Sequence, residues 1–175
     1  INSNQTILSG DLGTTNSYHV VVFNGLAGGI TQAGIFDGFT IEGGNANGPG
    51  GINVIGETPA INNVGGGMLL WAPLPNNQAN PTIQSCVFTN NTSRSKGGAI
   101  YLNGRLGGQC SPTILQCTFE NNQAPKGGAI FANGVESGNA NPTISGSTFL
   151  NNTSGVEGGA IYTWAFNLGH ASPRI

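Results

Sequence analysis

The side chains that could perform acid–base chemistry are few and scattered along this sequence. Hydrolysis of a glycoside needs two carboxylates at a suitable spacing, and a calcium-dependent lyase needs clustered acidic oxygens beside an Arg or Lys. The bases Arg94, Lys96 and Arg105 lie near one another but have no acidic cluster beside them. The sequence therefore predicts no catalytic residue among its seven carboxylates: Asp11, Asp37, Glu42, Glu57, Glu120, Glu136 and Glu157.

Histidine and cysteine show no pattern typical of nucleophilic catalysis or metal binding. His19 and His170 have no Ser or Cys partner at a recognisable spacing, so we expect structural roles for both. The spacings of Cys86, Cys110 and Cys117 match neither a disulfide framework nor a zinc site. We expect Cys86 and Cys117 to be small buried hydrophobes, and we expect neither a metal ion nor a cofactor.

The composition excludes several classes of protein. Only 7% of the residues are charged, against roughly 25% in typical soluble domains, and the net charge is −2. No basic stripe is available for nucleic acid, and no apolar run is long enough for a membrane-spanning helix. Hydrophobic residues make up 37% of the chain, so it can bury a core, while 30 glycines and 23 asparagines suit stacked turns.

The strongest feature of the sequence is an internal repeat of 30 or 31 residues. Pro-Thr-Ile occurs at residues 81–83, 112–114 and 142–144, so its prolines are 31 and then 30 residues apart. Each copy continues to a Phe, an Asn-Asn pair and then Gly-Gly-Ala-Ile followed by an aromatic residue. Because a fixed period of this length is typical of solenoids, we interpret the chain as a repeat array.

The repeat predicts how the chain is organised. Residues 66–175 hold regular repeats, and residues 1–65 hold degenerate coils with a loop insertion at 45–64. A further Pro at position 173 starts another copy, so we expect residues 1–175 to be a single segment of a longer array. About five coils fit into this length.

The elements that this repeat builds must be strands. Helical repeats of similar length need two helices each, but Gly-Gly, Asn-Asn and Pro interrupt every candidate helix. Short runs of β-branched residues between these breaks predict an all-β fold, a right-handed parallel β-helix in which equivalent residues stack about 4.8 Å apart. We expect ladders of Phe (Phe88, Phe119, Phe149), Ile (Ile100, Ile130, Ile161) and Asn (Asn91, Asn122, Asn152), with a second Asn ladder at Asn90, Asn121 and Asn151.

The pairing of Phe-x-x-Asn with Gly-Gly-Ala-Ile resembles the repeat of chlamydial polymorphic outer membrane proteins. The motif pairs occur at residues 88–91 and 97–100, 119–122 and 127–130, and 149–152 and 158–161. The wider pattern is similar to that of large bacterial right-handed β-helix repeat proteins. The resemblance implies a right-handed β-helix in an exported protein, and the chlamydial proteins are autotransported adhesins.

The functional expectation is a non-enzymatic structural or adhesive module at the cell surface or outside the cell. Trp71, Tyr101, Tyr162 and Trp164 are its candidate contacts for host or matrix glycans or proteins. Two alternatives stay open. Copies of the chain could assemble into a filament or sheath, or flanking coils could hold the active site of a polysaccharide lyase or glycoside hydrolase.

Overall fold

A computed structural model describes residues 6–26, 28–49, 54–55, 58–59 and 62–175 of the chain. These residues form strands and turns only, so no helix among them is long and apolar enough to cross a membrane. Four parallel sheets run along the molecule, and the chain visits them in the same order in each coil. The prediction of an all-β parallel solenoid with about five coils is therefore confirmed, whereas its right hand stays a prediction.

Each sheet takes one short strand from successive coils. Sheet 1 contains β1 (Thr6–Ser9), β4 (Phe39–Glu42), β10 (Val87–Thr89), β14 (Thr118–Glu120) and β18 (Thr148–Leu150). Sheet 2 contains β5 (Asn45–Ala46), β11 (Thr92–Ser93), β15 (Gln123–Lys126) and β19 (Thr153–Glu157). Sheet 3 contains β2 (Val21–Asn24), β8 (Met68–Trp71), β12 (Ile100–Asn103), β16 (Ile130–Asn133) and β20 (Ile161–Trp164). Sheet 4 contains β3 (Ile35–Asp37), β9 (Thr82–Gln84), β13 (Thr113–Leu115) and β17 (Thr143–Ser145).

The insertion is shorter at both ends than the sequence predicted. Asn45 and Ala46 pair with β11, so they belong to sheet 2, and Val64 pairs with Lys96 in the next coil. Within the insertion, β6 (Val54–Ile55) and β7 (Thr58–Pro59) form an antiparallel pair. Residues 50–53, 56–57 and 60–61 of the predicted loop lie outside the described residues. The predicted loop included these paired residues because short polar strands have no hydrophobic pattern that distinguishes them from a loop.

The core is built from columns of identical side chains. The rings of Phe88 and Phe119 stack with centroids 4.9 Å apart at 7°, and those of Phe119 and Phe149 are 4.8 Å apart at 6°. In sheet 3, Ile100 and Ile130 are fully buried and in register with one another, and Ile161 continues the same column. Stacked equivalents can face the same core because every coil has the same path.

A ladder of buried asparagines joins successive coils beside the Phe column. Asn91 and Asn122 are fully buried, and the Asn91 Nδ2 group donates to the Ile41 carbonyl at 2.9 Å and to Asn122 Oδ1 at 3.1 Å. One coil further, the Asn122 Nδ2 group donates to the Phe88 carbonyl and to Asn152 Oδ1, both at 2.9 Å. Each amide thus satisfies backbone groups that would otherwise be buried without partners.

The prediction of a second ladder at Asn90, Asn121 and Asn151 is wrong. These residues have exposed side chains and left-handed backbones, with φ of 55°, 56° and 52°. They form the corner between sheets 1 and 2, and asparagine is one of the few non-glycine residues that accept this conformation. The two members of the Asn-Asn pair therefore have different roles. The first adopts the left-handed conformation at the corner, and the second belongs to the ladder and hydrogen-bonds to a neighbouring coil.

Candidate binding face on sheet 3

The four aromatic residues that the sequence singled out lie on the same side of one sheet. Side chains alternate along each strand of sheet 3, so Ile100 and Leu102 point into the core while Tyr101 and Asn103 point outward. Two outward columns result from the register. One contains Val22, Leu69, Tyr101, Phe131 and Tyr162, and the other contains Asn24, Trp71, Asn103, Asn133 and Trp164.

Exposure divides this face into a covered part and an open part. Trp71 and Tyr101 are only 6% and 5% exposed, and they form a second apolar cluster outside the core with Val64, Leu69 and Phe131. Trp164 is 38% exposed, and Tyr162 is partly buried against the same cluster. Trp71 and Tyr101 therefore have packing roles, whereas Trp164, the most exposed of the four predicted contact residues, lies in β20, the edge strand of sheet 3.

Tyr101 is held in place by a hydrogen bond beneath the surface. The Asn133 Nδ2 group donates to the Tyr101 hydroxyl oxygen at 2.8 Å. Burial raises the pKa of Tyr101 to about 12, so the phenol stays neutral at physiological pH. The Oδ1 atom of Asn133 is buried and has no hydrogen-bond partner in the structure.

Two lysines lie over the aromatic rings of this face. The Lys96 ammonium is 4.6 Å from the centroid of the Trp164 ring and 5.1 Å from that of Phe131. Burial, together with the charges of Lys126 and Arg105, lowers the pKa of Lys96. The ammonium thus exchanges part of its hydration for the negative faces of two rings.

The second lysine is paired with an acid. Lys126 is in register with Glu157, and its Nζ atom lies 2.7 Å from Glu157 Oε2. The Lys126 hydrogen bond is the main cause that lowers the pKa of Glu157, and a hydrogen bond from Tyr162 acts in the same direction. The same ammonium lies 5.5 Å from the centroid of the Tyr162 ring and 5.7 Å from that of Trp164. Because Glu157 balances the charge of Lys126 and Lys96 forms no ion pair in the described part of the chain, the aromatic surface beneath the two lysines is net positive.

Replacing Lys126 with methionine is expected to raise the pKa of the Glu157 carboxyl toward its ordinary value of 4.5. The reason is that the main partner of the charged carboxylate is lost. A ¹³C NMR titration of the Glu157 side chain measures this shift. Because Lys96 does not perturb Glu157, Lys96→Met is the matched control and should leave the Glu157 pKa where it is; equal shifts in both variants would contradict the assignment.

The Lys126–Glu157 pair also makes stability depend on pH. Because the pKa of Glu157 is lower in the folded chain than in the unfolded chain, the pair stabilises the fold at pH values above the ordinary carboxyl pKa. This contribution is lost as the pH falls through the folded pKa of Glu157.

The turns that follow sheet 3 extend the open part of the face. Four successive coils make the same turn, closed by hydrogen bonds from Asn77 N to Leu74 O, Gly108 N to Arg105 O, Gly138 N to Val135 O and Gly169 N to Phe166 O. Leu74, Leu106 and Phe166 are exposed by 49%, 39% and 45% in these turns. The Phe166 ring lies 6.0 Å from that of Trp164, and Arg105 pairs with Glu136 at 3.2 Å. We call this surface, from Tyr162 and Trp164 to the turn residues Leu74, Leu106 and Phe166, the sheet 3 face.

Several residues of the sheet 3 face and the lysines above it were not predicted from the sequence as part of a binding site. Phe131 occupies the aromatic position of the Gly-Gly-Ala-Ile motif, so its match to Tyr101 and Tyr162 was a usable signal. Lys96 and Lys126 precede the paired glycines in register, but their cation–π contacts depend on how the lysine chains fold back over the sheet. Nothing in the sequence distinguished Leu106 or Phe166, because a single apolar residue in a turn has no periodic signal.

In the described part of the chain, the residues weighed for acid–base chemistry come together only in pairs. Asp11 and Glu42 line a shallow depression of about 470 Å³ with Ser9, Gly13, Asn16, Gly43 and Asn90. There Asp11 Oδ1 accepts a hydrogen bond from the Gly13 N–H at 2.8 Å and so stabilises a turn.

Asp37 and His19 also have structural partners. Asp37 accepts a hydrogen bond from Gln84, and the His19 ring donates to the Gly65 carbonyl at 2.9 Å. Among the described residues, no three His, Cys, Asp or Glu side chains are grouped so as to hold a metal ion. Glu57 lies outside the described residues.

Comparison with known proteins supports the repeat. Residues 85–103, 116–133 and 146–163 match the Chlamydia polymorphic membrane protein (Chlamydia_PMP) repeat. Each match runs from the corner before sheet 1 to sheet 3 and therefore includes the Phe column, the Asn ladder and the Gly-Gly corner. The search of curated proteins and the search of solved structures gave no match.

Proposed function

We propose that this chain is a non-enzymatic adhesive module of a bacterial surface protein and that it binds glycans or proteins of a host or matrix through the sheet 3 face. The three matched repeats support a bacterial surface protein of the polymorphic membrane protein type. The location on the outer surface of the cell belongs to the same proposal. The solenoid supports it mechanically, since stacked coils make a stiff rod that can present a lateral surface.

The observation that carries the proposal is the concentration of exposed aromatic and apolar side chains on the sheet 3 face. Trp164 and Phe166 lie side by side, and Lys96 and Lys126 lie over the Trp164 ring. Tryptophan is enriched at the energetic centres of protein interfaces, and the exposed part of the Trp164 side chain offers a large, rigid apolar contact area. The paired Arg105 and Glu136 in the adjacent turns supply polar groups at the rim.

Replacing Trp164 with alanine is expected to weaken binding by roughly ten- to thirtyfold, the loss of about 1.4 to 2 kcal/mol that an interface hot spot produces. A glycan microarray and plates coated with collagen, laminin or fibronectin provide the probes, and biolayer interferometry measures the affinity for whichever of them binds. Trp164 lies in the edge strand of sheet 3 and outside the main core, so circular dichroism of Trp164→Ala should report an unchanged fold.

Glu120→Ala is the matched control, because Glu120 is on sheet 1 and outside the sheet 3 face. It should bind like the unaltered chain. Equal losses in the two variants, or binding that ignores the Trp164 change, would overturn the assignment of the face. Self-association is tested on the same samples by light scattering, which would then report a mass above 17.8 kDa.

A further inference from the structure

Two of the three cysteines occupy equivalent places in neighbouring coils. Cys86 and Cys117 lie at the corner between sheets 4 and 1, each directly before a strand of sheet 1, and Ser147 takes the same place one coil further. Both thiols are free and buried in the main core. The sequence predicted small buried hydrophobes at these positions, but the register gives the pair a chemical relation that spacing alone did not reveal.

The backbone positions of this pair suit a covalent link. Val87 and Thr118 are in register, and the Thr118 N–H donates to the Cys86 carbonyl at 2.8 Å, so Cys86 and Cys117 are stacked directly. Equivalent residues of neighbouring parallel strands are about 4.8 Å apart, which lies within the Cα separation of about 4.4 to 6.8 Å found in disulfides.

The side chains of the pair point the same way. The Cys86 thiol donates to the Gln84 carbonyl at 3.1 Å, and the Cys117 thiol donates to the equivalent Leu115 carbonyl at 3.3 Å. Because the two sulfurs occupy matching positions on the same side of the stacked coils, a rotation of one side chain about its Cα–Cβ bond moves one sulfur toward the other.

The two thiols also differ in acidity. The neighbouring Cys117 side chain lowers the pKa of Cys86, whereas the Cys86 side chain, followed by burial, raises the pKa of Cys117. Cys110 is separate from them. It lies between sheets 3 and 4 with its thiol on the Leu70 carbonyl, and burial raises its pKa.

We propose that Cys86 and Cys117 form a disulfide between neighbouring coils when the chain folds in the presence of a small-molecule disulfide such as oxidised glutathione. The Cys86 thiolate attacks one glutathione sulfur, which breaks the glutathione S–S bond and releases one glutathione thiolate. Cys117 loses its proton to solvent and attacks the Cys86 sulfur, which releases the second glutathione. Two protein thiols are thereby oxidised by two electrons, and one glutathione disulfide is reduced to two thiols.

The timing follows from burial. Both sulfurs are inaccessible once the coils have stacked, so the exchange occurs during folding and the finished bond is protected from reductants. The link closes a segment of about 31 residues and restricts the unfolded chain, so we expect an upward shift of the melting temperature of roughly 10 °C.

The test is a peptide map of the whole chain refolded with oxidised and reduced glutathione, alkylated in denaturant and digested with trypsin. Cleavage after Arg94, Arg105 and Lys126 places Cys86 in peptide 1–94 and both other cysteines in peptide 106–126. We expect these two peptides to be joined, with fragment ions assigning the link to Cys117 and an alkyl group on Cys110. Alkylated Cys86 and Cys117, a link through Cys110, or a link between two copies would each overturn the proposal.

Cys117→Ser is the matched control, because Ser147 already occupies the equivalent place in the next coil. This variant should give no joined peptides, and glutathione should leave its melting temperature unchanged. The unaltered chain should melt about 10 °C lower after it is refolded in reductant than after it is refolded with oxidised glutathione. A joined peptide without any such shift would show that the link forms only in unfolded chains and would equally contradict the proposal.

Discussion

Replacing Asn122 with alanine is expected to lower the free energy of unfolding by about 4 kcal/mol, because the change leaves buried polar groups without partners. Asn122 Oδ1 accepts hydrogen bonds from the backbone N–H and the side-chain amide of Asn91, both at 3.1 Å. Its Nδ2 group donates to the Phe88 carbonyl and to Asn152 Oδ1. Alanine removes all four bonds, and the Asn91 N–H and the Phe88 carbonyl then remain buried and unsatisfied.

Urea denaturation followed by circular dichroism measures this loss. The matched control is Asn121→Gly at the preceding residue, whose side chain is exposed and whose φ of 56° glycine adopts without strain. The control should stay within about 0.5 kcal/mol of the unaltered chain, as is usual for surface substitutions. Comparable losses in the two variants would show that Asn122 does not connect the coils.

Replacing Gly128 with alanine is expected to cost at least about 4 kcal/mol or to prevent folding, more than the usual 1 to 3 kcal/mol of overpacking. A Cβ atom at this position would meet the carbonyl oxygen of Gly159 and would lie 2.5 Å from that of Thr153, both in the next coil. Backbone atoms of a neighbouring coil cannot move aside without breaking the strand pairing. Gly98 and Gly128, each the second glycine of its pair, are thus required by the stacking distance, while Gly127 is required by its φ of 62°.

Gly155→Ala provides the comparison, since a Cβ atom there would have no neighbour within 4 Å. Thermal unfolding and urea denaturation of the two variants should place Gly155→Ala close to the unaltered chain and Gly128→Ala far below it. A Gly128→Ala chain with unaltered stability would mean that the coils are further apart at this corner than described.

The repeat made most of the fold predictable from the sequence. The Phe and Ile columns follow directly once the period is known, because a solenoid places equivalent residues on top of one another. The roles within the Asn-Asn pair do not follow in this way. Asn90 and Asn91 are chemically identical, and only the backbone geometry of the corner decides that Asn91 turns inward while Asn90 adopts the left-handed conformation.

The candidate site was only partly predictable. The repeat predicts that Tyr101 and Tyr162 share a face, because they are equivalent residues of different coils. Period-two alternation along the strand adds Trp164 to that face, and the register of the coils adds Trp71. Their accessibility was not predictable, because it depends on Val64 and on Lys96, which reach over the sheet from neighbouring turns. Likewise, only the register of the coils shows that Cys86 and Cys117 are stacked.

Adhesion itself is the central claim, and beads coated with the chain test it most directly on cultured epithelial cells. Counting bound beads by microscopy, we expect coated beads to exceed albumin-coated beads, and beads that carry Trp164→Ala to lose most of this excess. Beads that carry Glu120→Ala should bind like those with the unaltered chain. Binding of the unaltered chain at the level of albumin would contradict the adhesive function, and full binding by Trp164→Ala would contradict the face assigned to it.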